Sequence, residues 1–198
     1  MPTYVRRSEF GDQLRIQALI AEEGDALTKR FGGRDVTSLI ETALMSISAV
    51  DDAGQVVGYA AFHDHPSGQT GVNAAEWPTW LHHYFAHEEL GPANVAWLTF
   101  FVCDPTVHTE VAENVLRTAY TTMPEIDAVL LALPAECKPF SPLKDTFEEI
   151  EPRSGASVPY TVHVCPRSLY LDNLRIRVAR VEDHDDLVPI FESQSEVN

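Results

Sequence analysis

Two pairs of histidines stand at spacings that could hold a metal. "FHDHP" sets His63 and His65 two residues apart, and "HHYFAHEE" sets His83 and His87 one helical turn apart. Zinc sites use i, i+4 pairs of the second kind. The H-E-x-x-H motif is absent, however, and a full ligand set would have to converge from separate segments. The pairs therefore read as polar decoration of a loop and a helix, and no metal is expected. Cys103, Cys137 and Cys165 are isolated, odd in number and without a C-x-x-C pair. They read as reduced thiols rather than a disulfide or zinc framework. The acidic runs "FEEIEP" and "VEDHDD" lack the D-x-D-x-D-G spacing of a calcium loop and read as solvated faces.

A third stretch could bind phosphate. "FFVCDPTVHTEVAENVLRTAY", residues 100–120, reads as a buried strand running into a helix with Val107, Val111, Val115, Leu116, Ala119 and Tyr120 at helical spacing. Such junctions favour phosphates, because free N–H groups and the helix dipole point at the ligand. This junction holds no glycine. Pro105 removes a donor, Asp104 is suited to cap the helix itself, and Glu110 adds a negative charge. A unit charge ~5 Å from a phosphate charge costs about 0.8 kcal/mol in water and roughly 3 kcal/mol at an effective dielectric constant of 20. The junction reads as closed. Tyr120, at an apolar helix position, reads as a core tyrosine.

Aromatic residues concentrate in a fourth stretch, "WPTWLHHYF". A helix there can bury Leu81, Tyr84 and Phe85 against its own domain, while Trp77 and Trp80, flanking Pro78, stay partly exposed. Core packing is the favoured reading of the cluster. Aromatics are also enriched where proteins bind one another, so Trp77 and Trp80 are the candidate partner-binding residues.

The elements that position these groups follow from periodicity. Residues 3–7 form a short strand, Asp12 opens a helix carrying Ile16, Leu19 and Ile20, and a second helix covers 35–44 with Asp35 as its cap. "MSISAV" and "QVVGYAAF" are strands joined by a hairpin turn at Asp51-Asp52-Ala53-Gly54. A Pro/Gly-punctuated insert follows, with a helix over 77–89. Then come a strand at 95–103, a helix over 106–123, a strand at 128–134, a short helix within 142–150 and a strand at 160–165. The order mixes an antiparallel hairpin with one strand–helix–strand crossover. It predicts an α/β fold: a mixed central sheet with 45–51 antiparallel to 55–63 and 95–103 parallel to 128–134, flanked by helices on both faces.

The whole-chain numbers narrow the function. With 198 residues and 44% apolar content, the chain is long enough for one substantial core. No apolar run approaches the ~20 residues of a membrane helix, and a basic-then-apolar signal peptide is absent, which places the protein inside the cell by default. Thirty acidic against 14 basic residues give a net charge of -16. A nucleic-acid grip needs a cationic footprint, so nucleic acid and acidic membranes are not expected partners, whereas basic proteins would be attracted. A calmodulin target needs a basic amphipathic helix, and none of the predicted helices qualifies.

The chain also begins twice. "VRRSEFGDQLRIQALI" (5–20) lines up with "IRVARVEDHDDLVPIF" (176–191) at constant offset, so that Arg6 matches Arg177 and Asp12 matches Asp183. The first opening, "YVRRSEFGDQLRIQALI", together with "VDDAGQVVGYAAFHDHP", resembles the GCN5-related N-acetyltransferase fold. "RVARVEDHDDLVPIF", "WLTFFVCD" and "VLRTAYTTMPEIDAVLLALP" are similar to the N-terminal region of the cilia- and flagella-associated protein 61 family.

That resemblance implies an acetyltransferase-like domain over 1–170, followed by a linker and the truncated start of a second similar domain over 171–198. It implies a cilium or flagellum axoneme location in the calmodulin- and spoke-associated complex at the radial-spoke base. Subunits of that complex and the spoke-base proteins would be the partners, and motility the process. Active acetyltransferases grip acyl-CoA through a Q/R-x-x-G-x-G/A loop, which "DPTVHTEVAEN" does not match. They commonly use a strand Glu as base and a Tyr as acid. "VAWLTFFVC" offers no Glu, and "CKPFSPLKDTFEEI" supplies Phe140 and Phe147 in place of a Tyr. The expectation is a non-catalytic structural module with no cofactor. The alternative is an acyl-CoA-dependent N-acetyltransferase with a divergent phosphate loop.

Overall fold

Seven strands form one mixed sheet in the computed structural model, which describes residues 4–171 together with residues 184 and 188. The strands are β1 (Tyr4–Arg7), β2 (Met45–Val50), β3 (Val56–His63), β4 (Val95–Cys103), β5 (Ala128–Pro134), β6 (Glu148–Glu149) and β7 (Tyr160–Pro166), in the order β1-β2-β3-β4-β5-β7-β6. As the sequence predicts, β2 and β3 form an antiparallel hairpin and β4 runs parallel to β5. The hairpin turn is held by Asp51, whose Oδ1 accepts the N–H groups of Ala53 at 3.0 Å and Gln55 at 2.8 Å. Gly54 supplies the φ of 79° that this turn requires.

Among the described residues 4–171, five α-helices pack on the sheet: α1 (Gln13–Glu23), α2 (Asp25–Phe31), α3 (Val36–Thr42), α4 (Trp77–Tyr84) and α5 (His108–Thr122). Asp35 caps α3 as predicted, accepting from the N–H groups of Thr37 and Ser38. Helix α5 is the crossover between the parallel strands. Along β5, Val129 and Leu131 join the larger core with α1, α2, α3 and α5, while Ala128, Leu130 and Ala132 join a second core with α4. Successive strand residues point to opposite faces, so the sheet is covered on both.

The start of the chain is tied down by a buried carboxylate. Asp12 receives Arg6 in a fork at 2.7 and 2.8 Å, the Glu9 N–H at 2.9 Å and the Ser48 hydroxyl at 2.8 Å. Burial alone would raise the Asp12 carboxyl pKa, but these donors hold it below the ordinary value. Its contribution to stability is therefore present above the normal aspartate range and is lost as pH falls through its folded value.

Four expectations need correction. Helix α2 lies where the periodicity gave no helix, because only Leu27 and Phe31 of its residues are buried. The predicted helix within 142–150 is instead a 3-10 turn at Leu143–Asp145 leading into β6. Leu143, Phe147 and Ile150 are buried at spacings that imitate a helix, yet the Ile150 N–H goes to the Val162 carbonyl at 2.8 Å. Helix α4 stops at Tyr84 rather than residue 89, because Arg153 N–H takes the Tyr84 carbonyl and Ala86 N–H takes that of Glu151.

The fourth correction concerns Trp77, expected to stay partly exposed. It is 2% exposed, packs edge-on against Trp97 at 5.4 Å and donates its indole N–H to the Asp64 carbonyl at 2.8 Å. Truncating such a side chain costs about 3–5 kcal/mol, so Trp77 is a core residue and not a surface anchor. Residues 172–198, with the repeat over 176–191, lie outside the described residues apart from positions 184 and 188.

Gly58 on β3 marks where α5 presses closest to the sheet. A Cβ there would meet Val111 Cγ1 at 2.5 Å and Cys103 Cβ at 3.2 Å. Val111 is stiff at χ1 and cannot swing away. We predict that Gly58→Ala lowers unfolding free energy by about 1–3 kcal/mol. Gly33→Ala, where a Cβ meets nothing within 4 Å, should stay within about 0.5 kcal/mol. Urea unfolding of the two variants checks both.

Candidate functional site: the mouth of the parallel strands

In sheets with parallel strands, ligands enter beyond the carboxyl ends of those strands. Here that place lies between Cys103-Asp104 and Pro134. The two strands share only three register pairs, Val95↔Ala128, Ala96↔Val129 and Trp97↔Leu130, and then part. The parting leaves a wedge open toward the start of α5, and the contents of the wedge decide what can bind there.

Phe140 occupies it. Its ring lies 6.3 Å from Phe101 and 6.2 Å from Phe31, which itself packs on Phe100 at 5.4 Å. Phe100 and Phe101 are consecutive and so face opposite sides of β4. A ring that reaches the neighbourhood of both must sit against the strand's edge. The other edge of β4 is paired with β3, so the edge in question is the one β5 has left. The Arg30 guanidinium covers the Phe140 ring at 3.8 Å, a cation–π contact. The loop that carries Phe140 is folded back by the Cys137 N–H, which donates to the Pro134 carbonyl at 2.7 Å. Helix α2 thus supplies both Phe31 and Arg30 to the plug.

The start of α5 differs from expectation in detail. Asp104 does not cap the helix. Its Oδ1 accepts the Thr106 N–H at 2.8 Å and the Thr106 hydroxyl at 2.7 Å in a local turn, and the helix begins four residues later with Val107 at its N-cap. Those Thr106 donors hold the Asp104 carboxyl below the usual aspartate range, so the mouth carries a fixed negative charge. Pro105 contributes no donor, and Glu110 lies in the first helical turn. The repulsion anticipated from the sequence remains, carried by a turn instead of a cap.

The residues that could move protons are committed elsewhere. Tyr120 is fully buried, donates its hydroxyl to the Cys165 carbonyl and accepts the Val129 N–H at 3.0 Å. Burial raises its pKa strongly, as fits a core tyrosine. Burial likewise pushes the Cys103 and Cys165 thiols up to about 12. Phe147 lies in the core at 4% exposure. Among the described residues no three His, Cys, Asp or Glu side chains converge on a point suited to a metal. His83 and His87 do not share a helix, since α4 ends between them. His83 packs on Tyr84, and His63 lies 5.4 Å from His65.

Trp80 is half-buried and leans on Phe85 at 5.4 Å and Tyr84 at 6.3 Å. More apolar surface is offered by Leu14 at 80%, Phe10 at 59% and Leu44 at 56% exposure. The antiparallel pairing Arg7↔Ile47 places Phe10 and Leu44 at the same end of the β1–β2 ladder. Sequence reasoning missed these three because single exposed apolar residues in short polar surroundings carry no periodic signal.

Comparison with known proteins adds family and fold. The family model for the N-terminal domain of cilia- and flagella-associated protein 61 matches residues 4–198. Cilia- and flagella-associated protein 61 of Tetrahymena thermophila is 27% identical over 98% of this chain, and the chain spans 13% of that relative's length. Among solved structures, AAC(6')-Ib in complex with ribostamycin and coenzyme A aligns over 89% of this chain and 100% of its own at a TM-score of 0.50 and 13% identity. A GNAT-family acetyltransferase from Listeria monocytogenes aligns over 83% and 94%, with a TM-score of 0.49 and 13% identity. The first likeness, at that identity, speaks to the fold alone.

The filled wedge generates a direct expectation. Isothermal titration with coenzyme A and acetyl-CoA at millimolar concentration should give no saturable heat, and Pro105→Gly should not create any. Saturable binding to the unaltered chain would mean that Phe140 leaves the wedge readily.

Proposed function

Because the chain belongs to the family of the cilia- and flagella-associated protein 61 N-terminal domain, we propose that it is a non-catalytic docking module of the radial-spoke base in the axoneme of motile cilia and flagella. It keeps an acetyltransferase fold as a scaffold, and its partners are other subunits of the calmodulin- and spoke-associated complex and neighbouring spoke proteins. The observation that carries this reading is Phe140 beside Phe101 and Phe31 and under Arg30, at the edge of β4 that β5 has left. The anionic turn at Asp104 supports it. The likeness of fold to acetyltransferases supports a second reading, an acyl-CoA-dependent N-acetyltransferase with a divergent phosphate loop. That reading requires the Phe140 loop and α2 to move apart before a thioester could enter.

The net charge of -16 shapes how such a module is held. Microtubule surfaces are themselves acidic, so the domain is repelled within the Debye length of ~8 Å at physiological salt. Docking then rests on protein partners with basic or apolar complements. On this domain Trp80, Leu14 and Phe10 are the available apolar anchors. Trp77 is excluded by its burial. We also infer that 176–191 opens a second, similar unit, since Arg177 and Asp183 align in sequence with Arg6 and Asp12.

The expected outcome is that the domain fails to co-sediment with purified microtubules yet is retained by ciliary extracts containing the spoke base. A Phe10→Ser, Leu14→Ser, Trp80→Ala variant should lose much of that retention with its unfolding midpoint little changed. Salt-sensitive binding to bare microtubules contradicts the electrostatic part. Full retention by the folded triple variant contradicts the anchor assignment.

A further inference from the structure

The sheet has two edges, and they differ. At one, β6 is two residues long, and both are exposed glutamates, Glu148 and Glu149. Short edge strands and edge charges discourage pairing with another chain. At the other, β1 runs in continuous register with β2 from Tyr4↔Val50 to Arg7↔Ile47. It holds no proline and no bulge, and among the described residues no further strand pairs with its outer side.

The direction of each backbone group on β1 follows from the ladder. In an antiparallel pair, residues that exchange hydrogen bonds with the neighbouring strand alternate with residues whose N–H and C=O point away from it. The Ser8 N–H donates to the Ser46 carbonyl at 3.0 Å. Ser8 is thus of the first kind, and so, at two-residue steps, are Arg6 and Tyr4. Val5 and Arg7 are of the second kind and turn their N–H groups and carbonyls to the open edge. The Arg7 carbonyl receives Arg6 Nη1 at 3.0 Å, as fits a group that β2 does not use. The Val5 carbonyl and the Val5 and Arg7 N–H groups have no partner among the described residues.

The spacing of these groups sets what covers them. Donor–acceptor slots two residues apart match an extended backbone rather than a helix. The side chains narrow the choice of segment. Val5 packs in part on the core, so a residue set beside it is apolar. Arg7 is exposed, and among the described residues no carboxylate pairs with it. Opposite charges across a strand pair are favourable and like charges are not. A second copy of the chain is therefore a poor occupant. A two-fold pairing that joins Val5 to Arg7 sets Arg6 opposite Arg6, between chains that each carry -16. Phe10 and Leu44, exposed at the Arg7 end of the ladder, extend the edge with apolar surface.

We propose that β1 takes up an extended segment of a partner protein as an added strand, with a β-branched residue opposite Val5 and a carboxylate opposite Arg7. The added strand is antiparallel, the pairing more stable per residue. Its backbone fills the open slots, and an apolar residue on its amino side reaches Phe10 and Leu44. This rests on the docking role and names the conformation and chemistry of what docks.

The test uses the 198-residue chain and the peptide acetyl-Leu-Thr-Glu-Thr-Val-Thr-amide, whose glutamate and valine are spaced for Arg7 and Val5. In the free chain, amide hydrogen exchange should be fast at Val5 and Arg7 and slow at Arg6. The peptide at millimolar concentration should shift the resonances of residues 4–8 saturably and slow exchange at Val5 and Arg7. Methylating the peptide's valine nitrogen, which faces the Val5 carbonyl, should weaken binding about tenfold, the factor for one hydrogen bond. Methylating the threonine nitrogen before it, which points away from β1, should leave affinity nearly unchanged. Val5→Pro removes an outward donor without breaking a bond to β2 and should abolish the saturable shift. Slow exchange at Val5 in the free chain, no saturable shift, or equal affinity of the two methylated peptides overturns the proposal. Should Val5→Pro fail to fold, the methylated pair decides the matter on the unaltered chain. If ciliary extracts retain the chain while the peptide results fail, the docking role stands and this account of it falls. If the peptide binds as expected but the extracts do not retain the chain, the docking role falls and the strand site stands.

Discussion

Two strands that run parallel and then separate leave a gap in the sheet, and something must fill it. Here β4 and β5 stay together for three residue pairs, and the rest of the structure is arranged around their parting. An unfilled wedge would forfeit dispersion contacts along both strands and open a path for water into the core. The chain closes it from within, by Phe140 from the loop after β5 and Phe31 from α2, with Arg30 laid over the outer ring. Helix α2 is short and makes little core of its own, yet it carries two of the three plugging residues. The same side chains lie where a ligand entering between the strands would meet them.

The crossover helix imposes the second constraint. A parallel pair cannot be joined by a tight turn, so α5 must lie across the sheet, and its Val111 comes so close to β3 that only glycine fits at position 58. At the other edge, Arg6 and Asp12 lock β1 and the entry to α1 against Ser48 of β2.

Much of this was legible in the residues. The hairpin at Asp51–Gly54, the buried strands, the long amphipathic helix and the parallel pair follow from period and turn chemistry, because each is a local pattern. That the junction before α5 holds no glycine and carries Asp104, Pro105 and Glu110 was also legible. The plug was only half legible: Phe140 could be seen replacing a tyrosine, but its neighbours Phe31 and Arg30 lie about a hundred positions away. Trp77 was misplaced because an aromatic beside Pro78 at a helix start looks exposed until Trp97 is brought against it. The 142–150 segment misled for a related reason, as burial at i, i+4 and i+7 does not distinguish a helix from a 3-10 turn that leads into an edge strand.

The proposed docking role rests on the strong acidity of the chain and on Phe140 beneath Arg30. The most direct measurement is a density map of the intact spoke base from motile cilia, at a resolution that shows side chains. The account predicts Phe140 seated between β4 and β5, no added density in the wedge, and a neighbouring subunit against the outer surface of this domain. A coenzyme-shaped density between the parted strands, with Phe140 displaced, would contradict it.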